Sequence, residues 1–262
     1  MRTMHGILYL FTVLMIHSAA QAGDMPDPAD HEFNPVISGQ FKGRDQMLKT
    51  VDQKSFNVYV TGPEDARKGI LLIHEWWGLN DHIRSWADRF AAMGYRAVAI
   101  DLYGGRITRD KVEAGRLMKT VDQTQANRKL KAAIDWLRAP GRRLVTLGWC
   151  FGGGQSLRAT LQAPGEIAGT IIYYGQPVLD VDRLRTIQGP VLGLYAKQDG
   201  WITPDVVKSF QQAMRAAGKT LEVHSYDARH AFANPSGGRY NSDAARQAWK
   251  EVLAFLARVM DY

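Results

Sequence analysis

The chain has 262 residues, of which 45% are hydrophobic and 23% are charged, and its formal net charge is +7. This composition can supply the core of one large globular domain, and it excludes an intrinsically disordered chain and a coiled coil. Lysine and arginine alternate with aspartate and glutamate instead of forming a basic tract, so the positive charge does not predict a nucleic-acid partner.

The first 22 residues have the features of a secretory signal peptide. Arg2 and His5 precede an apolar run over residues 7–16, and a small-x-small cleavage site ends at Ala22. A retained anchor or a helix packed on the domain is the alternative, but the run has about half of the ~20 residues needed to cross a bilayer. We therefore predict cleavage after Ala22, a secreted or periplasmic protein and no membrane association after cleavage.

Residues 23–48 contain three prolines among polar residues, which predicts an irregular lead-in to a single domain over residues 49–262. Strand-like and helix-like segments alternate within that domain. The predicted strands cover residues 56–61, 69–74, 96–101, 143–148, 169–174, 191–196 and 221–226, and the predicted helices cover residues 81–93, 110–119, 124–137, 152–161, 204–216 and 243–259.

Several predicted strands are nearly continuous apolar runs, for example residues 70–73 and 97–100. Strands of this kind are buried on both faces, so we expect an α/β fold, with a doubly wound, mostly parallel sheet and helices on both faces. In such sheets, ligands bind outside the carboxyl ends of the strands. The residues that follow the strands are therefore the candidates for function.

The most specific motif is Gly-Trp-Cys-Phe-Gly-Gly at residues 148–153, between an apolar strand and a helical segment. It matches the nucleophile elbow G-x-S-x-G with a cysteine in place of serine, and Cys150 is the only cysteine of the chain. The start of a helix would favour the thiolate form of this residue. A buried structural thiol is the alternative interpretation, whereas a phosphate-binding turn is disfavoured because the Walker lysine is missing.

Two later residues complete the order nucleophile, acid, histidine that this elbow requires. Asp199 follows the apolar strand predicted at residues 191–196, although an aspartate before a glycine is also typical of an ordinary turn. His230 lies in the loop after the last predicted strand, whereas His224 falls within that strand. We therefore predict Cys150 as the nucleophile, His230 as the base and Asp199 as the acid that orients the histidine.

The loop after the first core strand supplies further candidates. With such an elbow, the amide after the nucleophile and one amide of this loop bind the oxyanion, which predicts the N–H groups of Phe151 and Trp76. Glu75 could keep Cys150 protonated or could cap the loop, and both interpretations stay open. Residues 237–241 are interpreted as the lead-in to the last helix rather than as a lid.

These segments resemble the dienelactone hydrolase (carboxymethylenebutenolidase) family of the α/β-hydrolase superfamily, over about residues 50–262. The matching segments are His-Glu-Trp-Trp-Gly-Leu-Asn at 74–80, Asp-Leu-Tyr-Gly-Gly at 101–105, the elbow at 148–153, the turn at Asp199 and His-Ala-Phe at 230–232. The resemblance implies the α/β-hydrolase fold, and it gives the triad and the two oxyanion amides the roles described above. It also implies that Glu75 holds the resting thiol.

Two positions depart from the family's best-known members, which clamp a substrate carboxylate with two arginines. One arginine comes directly after the Asp-Leu-Tyr-x segment, and the other comes four residues after the catalytic histidine. Here these positions are Gly105 and Asn234, with Arg106 one residue late, so the natural substrate is left open. Partial substitution by Arg106, Arg109 or Arg239 is an open alternative. The expected substrate-binding residues are Tyr103, Arg106, Trp149 and Asn234.

The leading hypothesis is a hydrolase that cleaves a small carboxylic ester or lactone through a thioester acyl-enzyme. This chemistry needs no cofactor, and no metal-ligand spacing occurs in the sequence. We expect a monomer whose partner is its small-molecule substrate. An exported ligand-binding protein with little or no turnover is the alternative, and a thiol-transfer protein is disfavoured because the chain has no second cysteine.

Overall fold

A computed structural model describes residues 40–260 of the chain. Within these residues, eight strands form one sheet: β1 (Arg44–Lys49), β2 (Ser55–Thr61), β3 (Lys68–Ile73), β4 (Tyr95–Ile100), β5 (Arg143–Trp149), β6 (Ile167–Tyr173), β7 (Val191–Ala196) and β8 (Leu221–Tyr226). The helices of the same part of the chain are α1 (Asp81–Ala92), α2 (Lys111–Lys119), α3 (Gln123–Leu137), α4 (Phe151–Gln162), α5 (Val181–Leu184), α6 (Pro204–Ala216) and α7 (Ser242–Met260).

The strand order is β1-β2-β4-β3-β5-β6-β7-β8. β2 pairs antiparallel with both β1 and β4, and all other neighbouring strands pair parallel. The chain leaves β3 toward one side of the sheet to form β4 and then crosses to the other side to form β5. This is a doubly wound arrangement, so the carboxyl ends of the parallel strands lie at one edge. The predicted α/β-hydrolase fold is confirmed.

Helices cover both faces of the sheet because successive side chains of each strand point to opposite faces. In β3, Ile70 and Leu72 pack into a core shared with α1 and α7. Leu71 and Ile73 of the same strand pack into a second core shared with α3. A third cluster joins β7 to α6 around Phe210. The central strands are therefore buried on both sides, as their apolar sequences predict.

The structure differs from the prediction at the start of the domain and after β6. The irregular segment predicted up to residue 48 is wrong in its last part, because Arg44–Lys49 form β1 with Leu48 opposite Phe56. β1 is an edge strand with mostly exposed side chains, so its sequence lacks a buried apolar pattern. The one-turn helix α5 is also unpredicted. The other elements agree with the prediction to within two residues at each end.

The predicted signal peptide and the lead-in up to residue 39 lie outside the described residues. Cleavage after Ala22 and export therefore stay predictions. Within residues 40–260, no helix combines the length and the hydropathy that crossing a bilayer requires.

Candidate active site

Cys150 lies in the sharp turn between β5 and α4, and its backbone has a positive φ of 55°. Such a conformation is strained for a side-chain-bearing residue, and its amide is fixed by a 3.0 Å hydrogen bond to the Tyr173 carbonyl. A Cβ on Gly148 would lie 2.0 Å from the Gly152 oxygen, and a Cβ on Gly152 would lie 2.2 Å from the Ile73 oxygen. The two glycines therefore allow strand, turn and helix to approach each other around the sulfur.

His230 and Asp199 lie beside Cys150. His230 Nε2 is 3.2 Å from Cys150 Sγ, and His230 Nδ1 is 2.6 Å from Asp199 Oδ2. The other carboxylate oxygen of Asp199 accepts hydrogen bonds from the amides of Trp201 at 2.8 Å and Ile202 at 3.0 Å. The structure thus brings the three side chains that the sequence predicts as a triad into one line of contacts.

The surroundings of Asp199 fix how protons are arranged in this line. Burial opposes the ionised form, but the hydrogen bond and charge of His230 and the two backbone amides outweigh it and hold the pKa of Asp199 below its ordinary value. An ionised Asp199 requires the proton of a neutral imidazole on Nδ1, which leaves Nε2 as an acceptor facing Sγ. His230 is therefore placed to accept the proton of the thiol.

Two backbone N–H groups face the Cys150 sulfur. They belong to Phe151, the first residue of α4, and to Trp76, in the loop after β3. Both lower the pKa of the thiol, but burial and then the charge of Glu75 raise it by more, to about 12. The start of α4 thus favours the thiolate, as expected, but desolvation exceeds the effect of the two amides and the thiol stays protonated.

The carboxyl group of Glu75 is buried beside the thiol. Burial raises the pKa of Glu75 to about 7. A hydrogen bond that Asn234 Nδ2 donates to Glu75 Oε2 lowers this pKa, but by less than burial raises it. This geometry favours the interpretation in which Glu75 keeps Cys150 protonated. The placement of Asn234 differs from its predicted contact with substrate, because the residue is buried and its Oδ1 accepts a further hydrogen bond from the Ser236 amide at 2.9 Å.

Tyr103 and Arg106 lie on the loop after β4, where they line a cavity of about 250 Å³. The Tyr103 ring packs 5.5 Å from the Phe151 ring, and its buried hydroxyl has no hydrogen-bond partner within the described residues. Burial, and then the charge of Cys150, raise the pKa of Tyr103. Arg106 is exposed, and its Nε donates to the Tyr103 carbonyl at 3.2 Å. Tyr103 is buried, and the residues that line this cavity do not include the triad, so contact of Tyr103 and Arg106 with substrate stays a prediction.

Trp149 is a core residue, so its predicted contact with substrate is corrected. Its side chain is 3% exposed, and its ring packs 5.5 Å from Trp86 of α1 and 5.8 Å from Tyr173 of β6. The side chain points toward the core that α1 and α7 share. Trp149 directly precedes the nucleophile in sequence, but this position does not place its side chain near the sulfur. Consecutive residues at a strand end face opposite sides of the sheet.

The site also contains residues that the motifs do not single out as functional. Tyr174, with a positive φ of 38°, packs its ring 5.2 Å from the ring of His230. His74 is completely buried, with its ring 4.6 Å from Tyr103 and 5.8 Å from Phe151. The place of His74 at a strand end could have revealed it, whereas nothing around Tyr174 in the sequence marks that residue. Within residues 40–260, no three His, Cys, Asp or Glu side chains are grouped to hold a metal ion.

Comparison with known proteins places this geometry in a family. The model of the dienelactone hydrolase family matches residues 56–260, which is most of the chain. The chain belongs to the dienelactone hydrolase family. This dienelactone hydrolase family member is accordingly a hydrolase acting on ester bonds, and the alternative of a binding protein without turnover is disfavoured.

Several relatives of this dienelactone hydrolase family member cover most of its length. A protein of Saccharolobus solfataricus named "Putative carboxymethylenebutenolidase" is 30% identical over 252 residues, which cover 79% of this chain and 96% of the relative. Protein usf of Aquifex pyrophilus is 28% identical and covers 75% of this chain and 90% of its own. Among solved structures, the "Putative Dienelactone Hydrolase" of Klebsiella pneumoniae has a TM-score of 0.72 and 26% identity, covering 82% of this chain and 99% of its own.

Proposed function

We propose that this protein hydrolyses small carboxylic esters or lactones through a triad of Cys150, His230 and Asp199 and a thioester acyl-enzyme. The observation that carries the proposal is the continuous line of contacts from sulfur to carboxylate, with 3.2 Å between Sγ and Nε2 and 2.6 Å between Nδ1 and Oδ2. The same sulfur faces two backbone N–H groups. A nucleophile, a base, an orienting acid and two oxyanion donors thus meet at one point.

Acylation starts from a thiol, because the pKa of Cys150 is raised to about 12. Nε2 of His230 accepts the thiol proton while the sulfur attacks the carbonyl carbon of the substrate, and the ionised Asp199 stabilises the imidazolium. The carbonyl oxygen becomes an oxyanion that accepts hydrogen bonds from the N–H groups of Trp76 and Phe151. The carbon–oxygen bond then breaks, the leaving oxygen takes the proton from His230, and the acyl group stays on sulfur.

Deacylation uses the same groups on a water molecule. His230 accepts a proton from the water as its oxygen attacks the thioester carbonyl, and the two N–H groups hold the second oxyanion. The carbon–sulfur bond breaks, the sulfur takes the proton back from His230, and the carboxylic acid leaves. When the substrate is a lactone, the alcohol stays attached to the acyl chain, so the single product is a hydroxy acid.

The charges around the sulfur favour an acyl group without a negative charge. Glu75 and Asp199 are both acidic, and the two expected arginine positions are occupied by Gly105 and Asn234. Arg106 lies on the exposed loop, bonded to the main chain of Tyr103. The buried carboxylates would repel an anionic substrate, and no arginine at those two positions compensates for this repulsion. Neutral substrates are therefore the appropriate probes.

The test is an assay of the purified protein on p-nitrophenyl acetate and small neutral lactones, beside Cys150→Ala and His230→Ala. Each variant removes one member of the triad, so kcat/KM is expected to fall on the order of 10³-fold or more. Mass spectrometry of wild-type protein quenched during turnover is expected to show one added acyl group, and Cys150→Ala is expected to show none.

His224→Ala is the matched control for the histidine. His224 lies on β8, with Nε2 3.6 Å from Glu251, and it is only partly buried, so its loss removes an imidazole without altering the site. We expect His224→Ala to retain the wild-type rate. Equal rates in wild type and Cys150→Ala would contradict the proposal, and equal losses in both histidine variants would contradict the assignment of the base.

A further inference from the structure

His74 makes two hydrogen bonds that fix its tautomer. Its Nε2 lies 3.2 Å from the amide nitrogen of Leu102, and its Nδ1 lies 2.5 Å from the carbonyl oxygen of Glu75. An amide N–H can only donate, so Nε2 must be the acceptor. The single proton of a neutral imidazole is then on Nδ1, which donates to the Glu75 carbonyl. Burial lowers the pKa of His74, so the imidazole is held in this neutral form.

The carbonyl of Glu75 and the N–H of Trp76 belong to the same peptide unit. A trans peptide is planar, and its C=O and N–H bonds point in opposite directions. No cis peptide bond occurs within residues 40–260. A hydrogen bond that holds the Glu75 carbonyl on the side of His74 therefore aims the Trp76 N–H to the other side, where it faces the Cys150 sulfur.

The imidazole also contacts the residue that carries the other oxyanion donor. The rings of His74 and Phe151 are stacked 5.8 Å apart, and the Tyr103 ring packs against His74 at 4.6 Å. The Leu102 amide bonded to Nε2 joins the loop after β4 to the same imidazole. His74 thus contacts the two segments that carry the donors, which are the loop after β3 and the start of α4, and joins them to the loop after β4.

We propose that His74 is a positioning residue that holds the Glu75–Trp76 peptide so that its N–H stabilises the oxyanion. The inference rests on the proposed ester hydrolysis at Cys150. His74 touches neither substrate nor sulfur and acts through the peptide that it bonds. Its contribution is therefore made in the transition state, where negative charge develops on the carbonyl oxygen. Loss of His74 is accordingly expected to lower kcat more than it changes KM.

The variants His74→Asn and His74→Gln separate the two hydrogen bonds. The asparagine amide nitrogen can occupy the place of Nδ1 and donate to the Glu75 carbonyl, whereas the glutamine amide reaches the place of Nε2 near Leu102. We expect His74→Gln to lose at least about tenfold in kcat on p-nitrophenyl acetate with little change in KM, because misplacing one oxyanion donor weakens transition-state stabilisation. His74→Asn is expected to recover most of this loss.

Alkylation of Cys150 by iodoacetamide distinguishes this role from a purely structural one. Alkylation displaces iodide at a saturated carbon and forms no oxyanion, so it reports only the effect of the Trp76 N–H on the thiol itself. Because this N–H lowers the pKa of Cys150, misplacing it raises that pKa and slows alkylation at a given pH. His74→Gln is therefore expected to lose more in ester cleavage than in alkylation, since ester cleavage also loses stabilisation of the oxyanion. Ester rates unchanged in His74→Gln, or ester and alkylation rates reduced by the same factor, would overturn the proposal.

A measurement on the wild-type protein keeps the test decisive if a variant does not fold. The ¹⁵N chemical shifts of the His74 ring report which nitrogen carries the proton, and we expect the Nδ1–H tautomer. A proton on Nε2 would leave the Glu75 carbonyl with only the 3.4 Å hydrogen bond from the Gly78 amide and would overturn the inference. Failure of the proposed function has a different signature, because wild type and Cys150→Ala would then cleave esters equally, and it would remove the basis of this inference as well.

Discussion

At the scale of single residues, burial disfavours the ionised forms of both Cys150 and Glu75, and the charge of Glu75 further disfavours the thiolate. Burial raises the pKa of the thiol to about 12, with Glu75 as the next cause, and burial raises the pKa of Glu75 to about 7. Two neighbouring acids in a site with little water cannot both ionise without a large cost in free energy. The thiolate is the reactive form of cysteine, so a resting thiol is protected from alkylation and oxidation until His230 accepts its proton.

Glu75→Gln removes this charge and keeps an oxygen to which Asn234 can donate. We expect the pKa of the Cys150 thiol to fall and iodoacetamide alkylation at pH 8 to accelerate, by about tenfold for each unit of the fall. The measurement is the alkylation rate as a function of pH. Asp182→Asn, which removes a side chain that is 88% exposed, is the control and should retain the wild-type profile. Overlapping profiles for Glu75→Gln and wild type would contradict this account.

The sequence predicts the site residues that local motifs mark, but it does not predict contacts between residues that are far apart in the chain. Cys150, Asp199 and His230 can be identified because each follows a strand and the elbow requires their order. The pairing of Asn234 with Glu75 joins residues 159 positions apart, and a single sequence contains no signal for it. The pKa of the thiol also escapes prediction, because the start of a helix is visible in the sequence whereas the burial that outweighs it is not.

At the scale of secondary structure, the elbow joins β3, β5 and α4 through the close approach of their backbones. A Cβ on Gly152, in the first turn of α4, would lie 2.2 Å from the carbonyl oxygen of Ile73 and 2.5 Å from that of His74. The start of α4 is therefore pressed against the end of β3, where Glu75 and Trp76 follow. This contact sets the distance between the two oxyanion donors, because one donor begins α4 and the other follows β3.

Gly152→Ala is expected to destabilise the fold by about 1–3 kcal/mol or more, because the new methyl group must displace the backbone at the end of β3. The measurement is the free energy of unfolding in urea. Gly115→Ala is the matched control, since Gly115 lies within α2 and a Cβ there has no other atom within 4 Å. That variant should gain about 0.5–1 kcal/mol from the helix propensity of alanine. Equal unfolding free energies in Gly152→Ala and wild type would be incompatible with this packing.

Strands are predictable from sequence where their side chains are buried in the core. β4 is buried along its whole length and β3 after its first residue, so their apolar runs mark both the strands and the type of sheet. β1 has only Leu48 buried, and pairing with β2 rather than burial stabilises it. Such an edge strand has no hydrophobic pattern of its own, and its position becomes visible only when the partner strand is in place.

At the scale of the whole molecule, the winding of the sheet places the site. The chain turns to opposite sides after β3 and after β5, which are neighbours in the sheet. In doubly wound sheets, the loops that leave two such strands separate from each other, and ligands bind in the crevice between them. Glu75 follows β3, Cys150 follows β5, and the loops after β7 and β8 bring Asp199 and His230 to the same edge. Residues distant in sequence therefore meet because the strands that precede them are parallel.

The stability of the whole domain is expected to depend on pH through Glu75. Its pKa is 4.5 in the unfolded reference and about 7 in the folded protein. Below pH 4.5 both states hold the proton, and between the two values only the folded state does. The free energy of unfolding therefore falls as pH rises through this window, by about 1.4 kcal/mol per pH unit and by about 3 kcal/mol in total. Above the folded pKa, this contribution stays lost.

Glu75→Gln isolates this contribution, because glutamine does not titrate. We expect the melting temperature of the variant, relative to wild type, to rise as pH increases from 5 to 8. Asp199 contributes with the opposite sign, since its pKa is lowered in the folded state, but it is present in both proteins and cancels in the difference. Asp182→Asn, which removes an exposed carboxyl, should give a profile parallel to that of wild type. A parallel profile for Glu75→Gln would mean that the Glu75 carboxyl is not held protonated by burial beside Cys150.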